Sequence, residues 1–212
     1  MQLLLEVTTS TARKKTMILN DDEIREHCKD RDLWFDGRPL VLPFSEGVDD
    51  GISYGLTSAG YDARLDDQVM VYKVGTTRME SVDPKRFRDA EYRKRAFDEY
   101  RAGADGTIVL PGLTYALVQT LEEFCLPRWI KGRCVGKSTY ARCGLIVNTT
   151  PMEPEWWGKL TVEVFACVPV TLYVGEGICQ MEFERIRECR RSYADKRGKY
   201  QGQQSVTPPR VK

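Results

Sequence analysis

From Thr107 onward the chain resolves into short apolar runs, "TIVLPG", "TYALVQTLE", "LIVNTT", "KLTVEVFACV", "VTLYVGEG" and "ICQMEFER", separated by Gly, Pro or brief polar breaks. This spacing constrains the fold more than any other feature. Many short strands joined by tight breaks suit a barrel or a sandwich, whereas a parallel α/β sheet needs a crossover of a dozen or more residues between strands. The expectation is a mainly β protein with a few short helices.

The rest of the chain adds appendages to that frame. Residues 1–16, with the polar and basic "TTSTARKK", show no periodicity and read as an N-terminal extension. Asn20, followed by Asp21, Asp22 and Glu23, opens a helix by a capping box and carries it to about Lys29. "PFSEGVDDG" reads as loop and "QVMVYKV" as strand. Asp83-Pro84 starts a second helix over residues 84–101, with Phe87, Tyr92 and Phe97 as its aromatic edge among many charges. Residues 17–192 then form the β domain. Residues 193–212 form a C-terminal tail whose "RGKYQGQQSVTPPRVK" is too polar to build a core, so it is disordered or orders over something else.

Charge narrows the choice of partners. With 32 Lys and Arg against 31 Asp and Glu, the net charge is +1, which gives no electrostatic footprint for a nucleic acid or an anionic membrane. Seven cysteines make an odd count, none has C-x-x-C spacing, and Leu3 to Leu5 is too short an apolar run for a secretory signal. Reduced thiols in a cytoplasmic protein follow. The single histidine, His27, stands in a charged stretch away from clustered ligands, so no zinc site is expected. No apolar stretch approaches the roughly 20 residues of a membrane span.

Candidate chemistry concentrates between Gly136 and Phe165. Gly136-Lys137-Ser138-Thr139 offers backbone N–H groups, two hydroxyls and an ammonium, the donors of a phosphate cradle, although a plain turn has the same composition. It is no Walker A loop, since the upstream glycine is absent. Arg142 follows Ser138 at i+4 and shares its face on a helical turn; a surface arginine is the alternative. On the following strand Leu160, Val162, Val164 and Ala166 point one way, and Thr161, Glu163 and Phe165 the other. A half-buried carboxylate beside an aromatic ring acquires a raised pKa and suits general-base work, unless it is a salt-bridged strand residue.

These residues have a family resemblance. "GKSTYARCGLIVNTTPMEPEWWGKLTVE" strongly resembles the signature of dCTP deaminases, members of the trimeric dUTPase superfamily. "MILNDDEI", "ISYGLTSAGYDARL", "LYVGEGICQMEFE" and "SYADKRGKYQGQQSVTPPR" extend the resemblance over roughly residues 17–210. It implies a distorted β-barrel of the dUTPase-like (β-clip) type, assembled as a homotrimer with active sites at subunit interfaces. The implied reaction is hydrolytic deamination of dCTP to dUTP and ammonia without zinc, with Mg2+ accompanying the triphosphate and dTTP as a candidate feedback inhibitor. By motif, Glu163 corresponds to the base, with Ser138 and Arg142 positioning water and supporting charge. Lys137, Ser138 and Thr139 match the phosphate-contacting run, and Tyr140, Ala141 and Arg142 are further substrate-binding positions. Thr161 and Val162 lie where the pyrimidine is read, and Gln180, Tyr193, Lys199 and Gln203 match further nucleotide contacts.

One segment departs from the pattern: after Glu163 the family continues with a polar, Asn-containing segment, where this chain has the shorter, apolar "VFACVPVTLY". The readings that stand are a dCTP deaminase, a dUTPase or bifunctional enzyme carrying dCTP on to dUMP, a deaminase of a 5-substituted dCTP, and a nucleotide-binding homologue without turnover. Against the bifunctional reading, Glu153 stands where an aspartate would activate the second water, one methylene too long.

Overall fold

Asn20 caps the first helix, α1 (Asp21–Lys29), through the expected capping box: Glu23 N donates to Asn20 Oδ1 at 2.9 Å and Asn20 N donates to the Glu23 carboxylate at 3.2 Å. The computed structural model describes residues 17–48, 50–73 and 81–211; the expected N-terminal extension lies outside the described residues. His27 is buried on the core side of α1 with Ile24 and Cys28.

The strands are β1 (Val41–Leu42), β2 (Gly55–Thr57), β3 (Gly60–Arg64), β4 (Gln68–Tyr72), β5 (Phe97–Arg101), β6 (Thr107–Leu110), β7 (Thr114–Cys125), β8 (Ile130–Gly136), β9 (Leu145–Val147), β10 (Trp157–Ala166), β11 (Val170–Tyr173) and β12 (Gly177–Arg185). They make a sheet in the order β5-β4-β7-β10-β9 with β1 on the edge of β7, a second in the order β2-β3-β12-β8, and a β6-β11 pair. The mainly β expectation holds, with sheets wrapped around a common core; among the described residues they do not close into one hydrogen-bonded ring. Period-2 alternation fills that core. Val162 and Val164 of β10, Val118 of β7 and Met181 and Phe183 of β12 are 0% exposed, while Glu163 and Phe165 lie half-buried on the opposite face of β10.

The expected helix over residues 84–101 is broken. Pro84–Arg88 forms a 3-10 turn, Asp89 turns extended and accepts from Glu91 N and Tyr92 N, and α2 (Ala90–Ala96) starts there. An Asp side chain competes with the backbone for these N–H groups, which favours a cap over continuation. Phe97–Arg101 leaves the helix altogether to pair with β4, register Tyr72↔Phe97. The aromatic edge survives the break: Phe87, Tyr92 and Phe97 meet Met70, Leu117 and Val206 in a second, smaller core.

Sequence reading also missed β8. "IKGRCVG" alternates buried and outward residues, but Gly and two cations hide the pattern. A Cβ at Gly132 would lie 2.3 Å from Met152 Cε, so a larger residue there would have to displace the Met152 side chain. The tail does order. Gln203 bridges Gly158 in parallel, Lys159 N donates to Gln203 O at 2.9 Å, and Val206 and Thr207 are buried.

Candidate active site

The β10–β7 register sets Glu163 opposite Leu117, Thr161 opposite Gln119 and Phe165 opposite Tyr115, on the face turned away from the main core. Glu163 lines a cavity of about 640 Å³ together with Tyr72 and Tyr115 from the sheet, Trp156 from the loop before β10, and Tyr193 and Gln203 from the tail. A cavity of this volume accommodates a ligand of nucleotide size.

Burial pushes the Glu163 carboxyl above the usual carboxylate range; its own backbone N–H and the nearby Thr149 hydroxyl pull the other way. Glu163 Oε2 is buried and, like the Thr149 hydroxyl beside it, makes no hydrogen bond of ordinary geometry among the described residues. A buried, unsatisfied carboxylate oxygen costs free energy unless something else binds it. It is thus poised to accept a proton from a ligand or a water. Tyr115 senses the same charge: burial first, and then Glu163, raises its phenol.

Three expected residues of the tail reach this cavity: Tyr193, Lys199 and Gln203. Gln203 Nε2 donates to Lys159 O at 2.7 Å and to Thr161 Oγ1 at 3.3 Å, and Thr207 N donates to Thr161 Oγ1 at 3.1 Å. Tyr200 N donates to Tyr193 Oη, and Trp156 Nε1 donates to Tyr200 O, each at 3.0 Å. The tail is thereby stitched along β10. Val162, also expected, keeps its side chain in the main core.

The other expected residues gather elsewhere. Lys137 precedes the single turn α3 (Ser138–Arg142); it is buried, and its ammonium donates to Asp62 Oδ2 at 2.5 Å and to Ser53 Oγ at 3.1 Å. Ser138, Thr139, Ala141 and Arg142 are exposed, while Tyr140 is buried and its hydroxyl accepts from Tyr173 N at 3.1 Å. Arg142 Nη1 donates to the Ser138 backbone carbonyl at 3.5 Å. Gln180 sits opposite Asp62 and Val135, and its amide donates to Thr57 Oγ1 at 3.5 Å. None of Lys137, Ser138, Arg142 and Gln180 lines the Glu163 cavity. Within one chain the expected site is two half-sites.

Tyr72, Tyr115 and Lys131 line the cavity without having been singled out from the sequence. Tyr115 was findable, because register with Phe165 follows once β7 and β10 are paired. Lys131 required recognising β8.

Fold and site together define a β-sheet protein that carries a half-buried carboxylate in a cavity lined in part by its own C-terminal tail. A family profile described as dCTP deaminase-like matches residues 18–186, and the chain belongs to that family of enzymes. It is 44% identical to the dCTP deaminase of Granulibacter bethesdensis over 182 residues, covering 82% of this chain and 92% of that one. It is 41% identical to the dCTP deaminase of Paramagnetospirillum magneticum over 204 residues, covering 92% and 99%. The fold resembles the crystal structure of 2'-deoxycytidine 5'-triphosphate deaminase from Agrobacterium tumefaciens, with a TM-score of 0.55 at 20% identity, over 80% of this chain and about half (48%) of that one.

Proposed function

We propose that this chain deaminates dCTP hydrolytically to dUTP and ammonia, with Glu163 as the base. The observation that carries this reading is the half-buried Glu163 carboxylate whose Oε2 lacks a partner inside a nucleotide-sized cavity. A water between Glu163 and C4 of cytosine gives one proton to the carboxylate as its oxygen adds to C4. The C4–N4 bond then breaks. Of the two water protons, one leaves on the amine as ammonia and the other remains on N3, so C4 becomes a carbonyl. The raised pKa of Glu163 matches it to this shuttle, since a base with a very low pKa would take the proton poorly.

Ser138 and Arg142 enter from a neighbouring copy in a homotrimer, because the chain's own copies stand outside the Glu163 cavity. Mixing inactive Glu163→Gln and Arg142→Ala proteins after reversible dissociation tests this: sites that combine intact halves regain activity. A mixture that stays inactive places both halves in one chain and removes the interface from the reading.

The described residues gather no group of three or more His, Cys, Asp or Glu able to hold a metal, so the reading gives Mg2+ no protein ligand set; it enters with the triphosphate. The base activates water without zinc. Dialysis against a zinc-selective chelator followed by assay with magnesium leaves activity intact under this reading, and activity restored only by zinc overturns it. No helix among the described residues is long and apolar enough to cross a membrane. The seven unpaired cysteines support a cytoplasmic setting. dTTP is proposed as a feedback inhibitor competing for the dCTP cavity.

A further inference from the structure

Four charged side chains line the Glu163 cavity: Glu163, Glu153, Lys131 and Lys199. Glu163 has the unpartnered oxygen, and Glu153 is engaged by Lys196 at 3.5 Å. Lys199 lies over the Tyr200 ring, 5.2 Å from its centroid. Lys131 is the unexplained one. It is half-buried, on β8, in the sheet opposite the one that carries Glu163. The paired hydrogen bonds between Gly132 and Met152, at 3.0 and 2.9 Å, fix it beside the loop that forms this wall of the cavity. Across the strands Glu184 stands in register with it, and the described residues show no ion pair between them.

We propose that Lys131 is an anion-binding residue of the cavity, contacting the phosphate chain of a nucleoside triphosphate. The inference rests on the dCTP reading above and adds to it a cation that the sequence motifs do not supply. Three features argue for it. A lysine partly withdrawn from water, with no carboxylate bound, is stabilised by an anionic ligand. Lys137, the cation expected to meet phosphate, is matched to Asp62 at 2.5 Å in a buried pair and does not line this cavity, whose cations among the described residues are Lys131 and Lys199. Lys131 and Glu163 come from different sheets, so a ligand can set its base against one and its phosphates against the other.

The test compares dCTP, dCMP and inorganic triphosphate on the full-length protein and on Lys131→Gln. Hydrogen bonds to charged groups are strong enough that dCTP and triphosphate should bind the variant about ten- to a hundredfold more weakly. dCMP, which lacks the β- and γ-phosphates, should change less than about threefold on the same grounds. Lys131→Arg should recover most of the dCTP affinity, which a merely structural lysine does not predict. Equal losses for dCMP and dCTP, or an unchanged dCTP-to-dCMP ratio in a protein that still deaminates dCTP, overturn the inference and leave the reading intact. Wild-type protein that binds inorganic triphosphate through Lys131 but never releases ammonia from dCTP sinks the reading and leaves the anion site standing.

Discussion

Lys137 Nζ lies 2.5 Å from Asp62 Oδ2, with side chains only 8% and 10% exposed, which ties the residue before α3 to the middle of β3. Ser53 Oγ accepts a second bond from the same ammonium, and Gly177 leaves room for the lysine stem, since a Cβ there would sit 3.0 Å from Lys137 Cε. The phosphate-run segment is thus anchored by a buried charge pair. Removing one partner strands the other in the interior, which costs about 3–5 kcal/mol. Asp62→Ala should lower the unfolding free energy by about that amount in urea titration. A variant as stable as the wild type shows that the pair contributes nothing.

Glu163→Gln separates chemistry from folding. The amide keeps the shape and removes the base, so kcat should fall by a factor of about 10² to 10⁴ while dCTP still binds. Because burial raises the Glu163 pKa in the folded protein, the native state holds its proton more tightly than the unfolded state. Stability from this group is therefore fully present below the unfolded carboxylate value and is lost as pH rises through the raised folded value. Glu163→Gln, which has no proton to lose, should melt higher than wild type at pH 8, with the gap closing at pH 4. The kcat/KM of wild type should fall on the acid side, as Glu163 becomes protonated. Equal melting temperatures at both pH values, or a tenth of wild-type kcat retained, remove Glu163 from the base role.

Local rules made part of this protein legible. The Asn20–Glu23 capping box and the alternation of β10 are decided by neighbours in sequence, and both were readable. The failures arise where distant residues decide. Phe97 falls within the helix expected over residues 84–101, yet pairing with Tyr72 on β4 draws it into a strand. Lys131 stands in a run that looks polar until Met152 is placed against Gly132. The tail has too few apolar residues to fold alone; Val206 becomes core because Leu117 and Phe97 form a receptacle for it. The separation of Ser138 and Arg142 from Glu163 was not visible in motif spacing, because sequence proximity says nothing about which side of a sheet each segment occupies.

The tail should behave as a fastener with a hydrophobic end. Val206 is 8% exposed in the second core, Arg88 Nη2 donates to Val211 O at 3.0 Å, and Gln119 Nε2 donates to Gln204 O at 3.0 Å. Val206→Asp places a charge where nothing pairs it, and such burial is unfavourable enough to release the segment. Limited trypsin digestion should then cut after Arg197 or Lys199 faster than in wild type, and dCTP with magnesium should slow the cut in both. Deletion from Arg197 onward should leave the β-sheets folded by circular dichroism while kcat/KM for dCTP drops sharply. A truncated protein with unchanged kcat/KM shows that the tail plays no part in catalysis.

The pyrophosphate bond of the substrate should survive turnover. Glu153 lines the same cavity as Glu163, so a second hydrolytic carboxylate is in the neighbourhood. Its circumstances differ. It is exposed, its carboxylate is held by Lys196 at 3.5 Å, and its backbone is fixed by a turn in which Trp156 N donates to Glu153 O at 3.1 Å. Pro154 follows it and restricts its backbone to extended conformations. A carboxylate so tethered is a poor candidate to hold water in line with the α-phosphate, where a misplacement of about 1 Å costs on the order of a hundredfold. Under the proposed reading Lys131 and Lys199 would stabilise the bound triphosphate, but binding the ground state tightly does not cleave it. Following ammonia and pyrophosphate in a single reaction on dCTP should show ammonia released one for one with dUTP and no pyrophosphate. Stoichiometric pyrophosphate makes the enzyme bifunctional, and loss of that pyrophosphate alone in Glu153→Gln assigns the second water to Glu153.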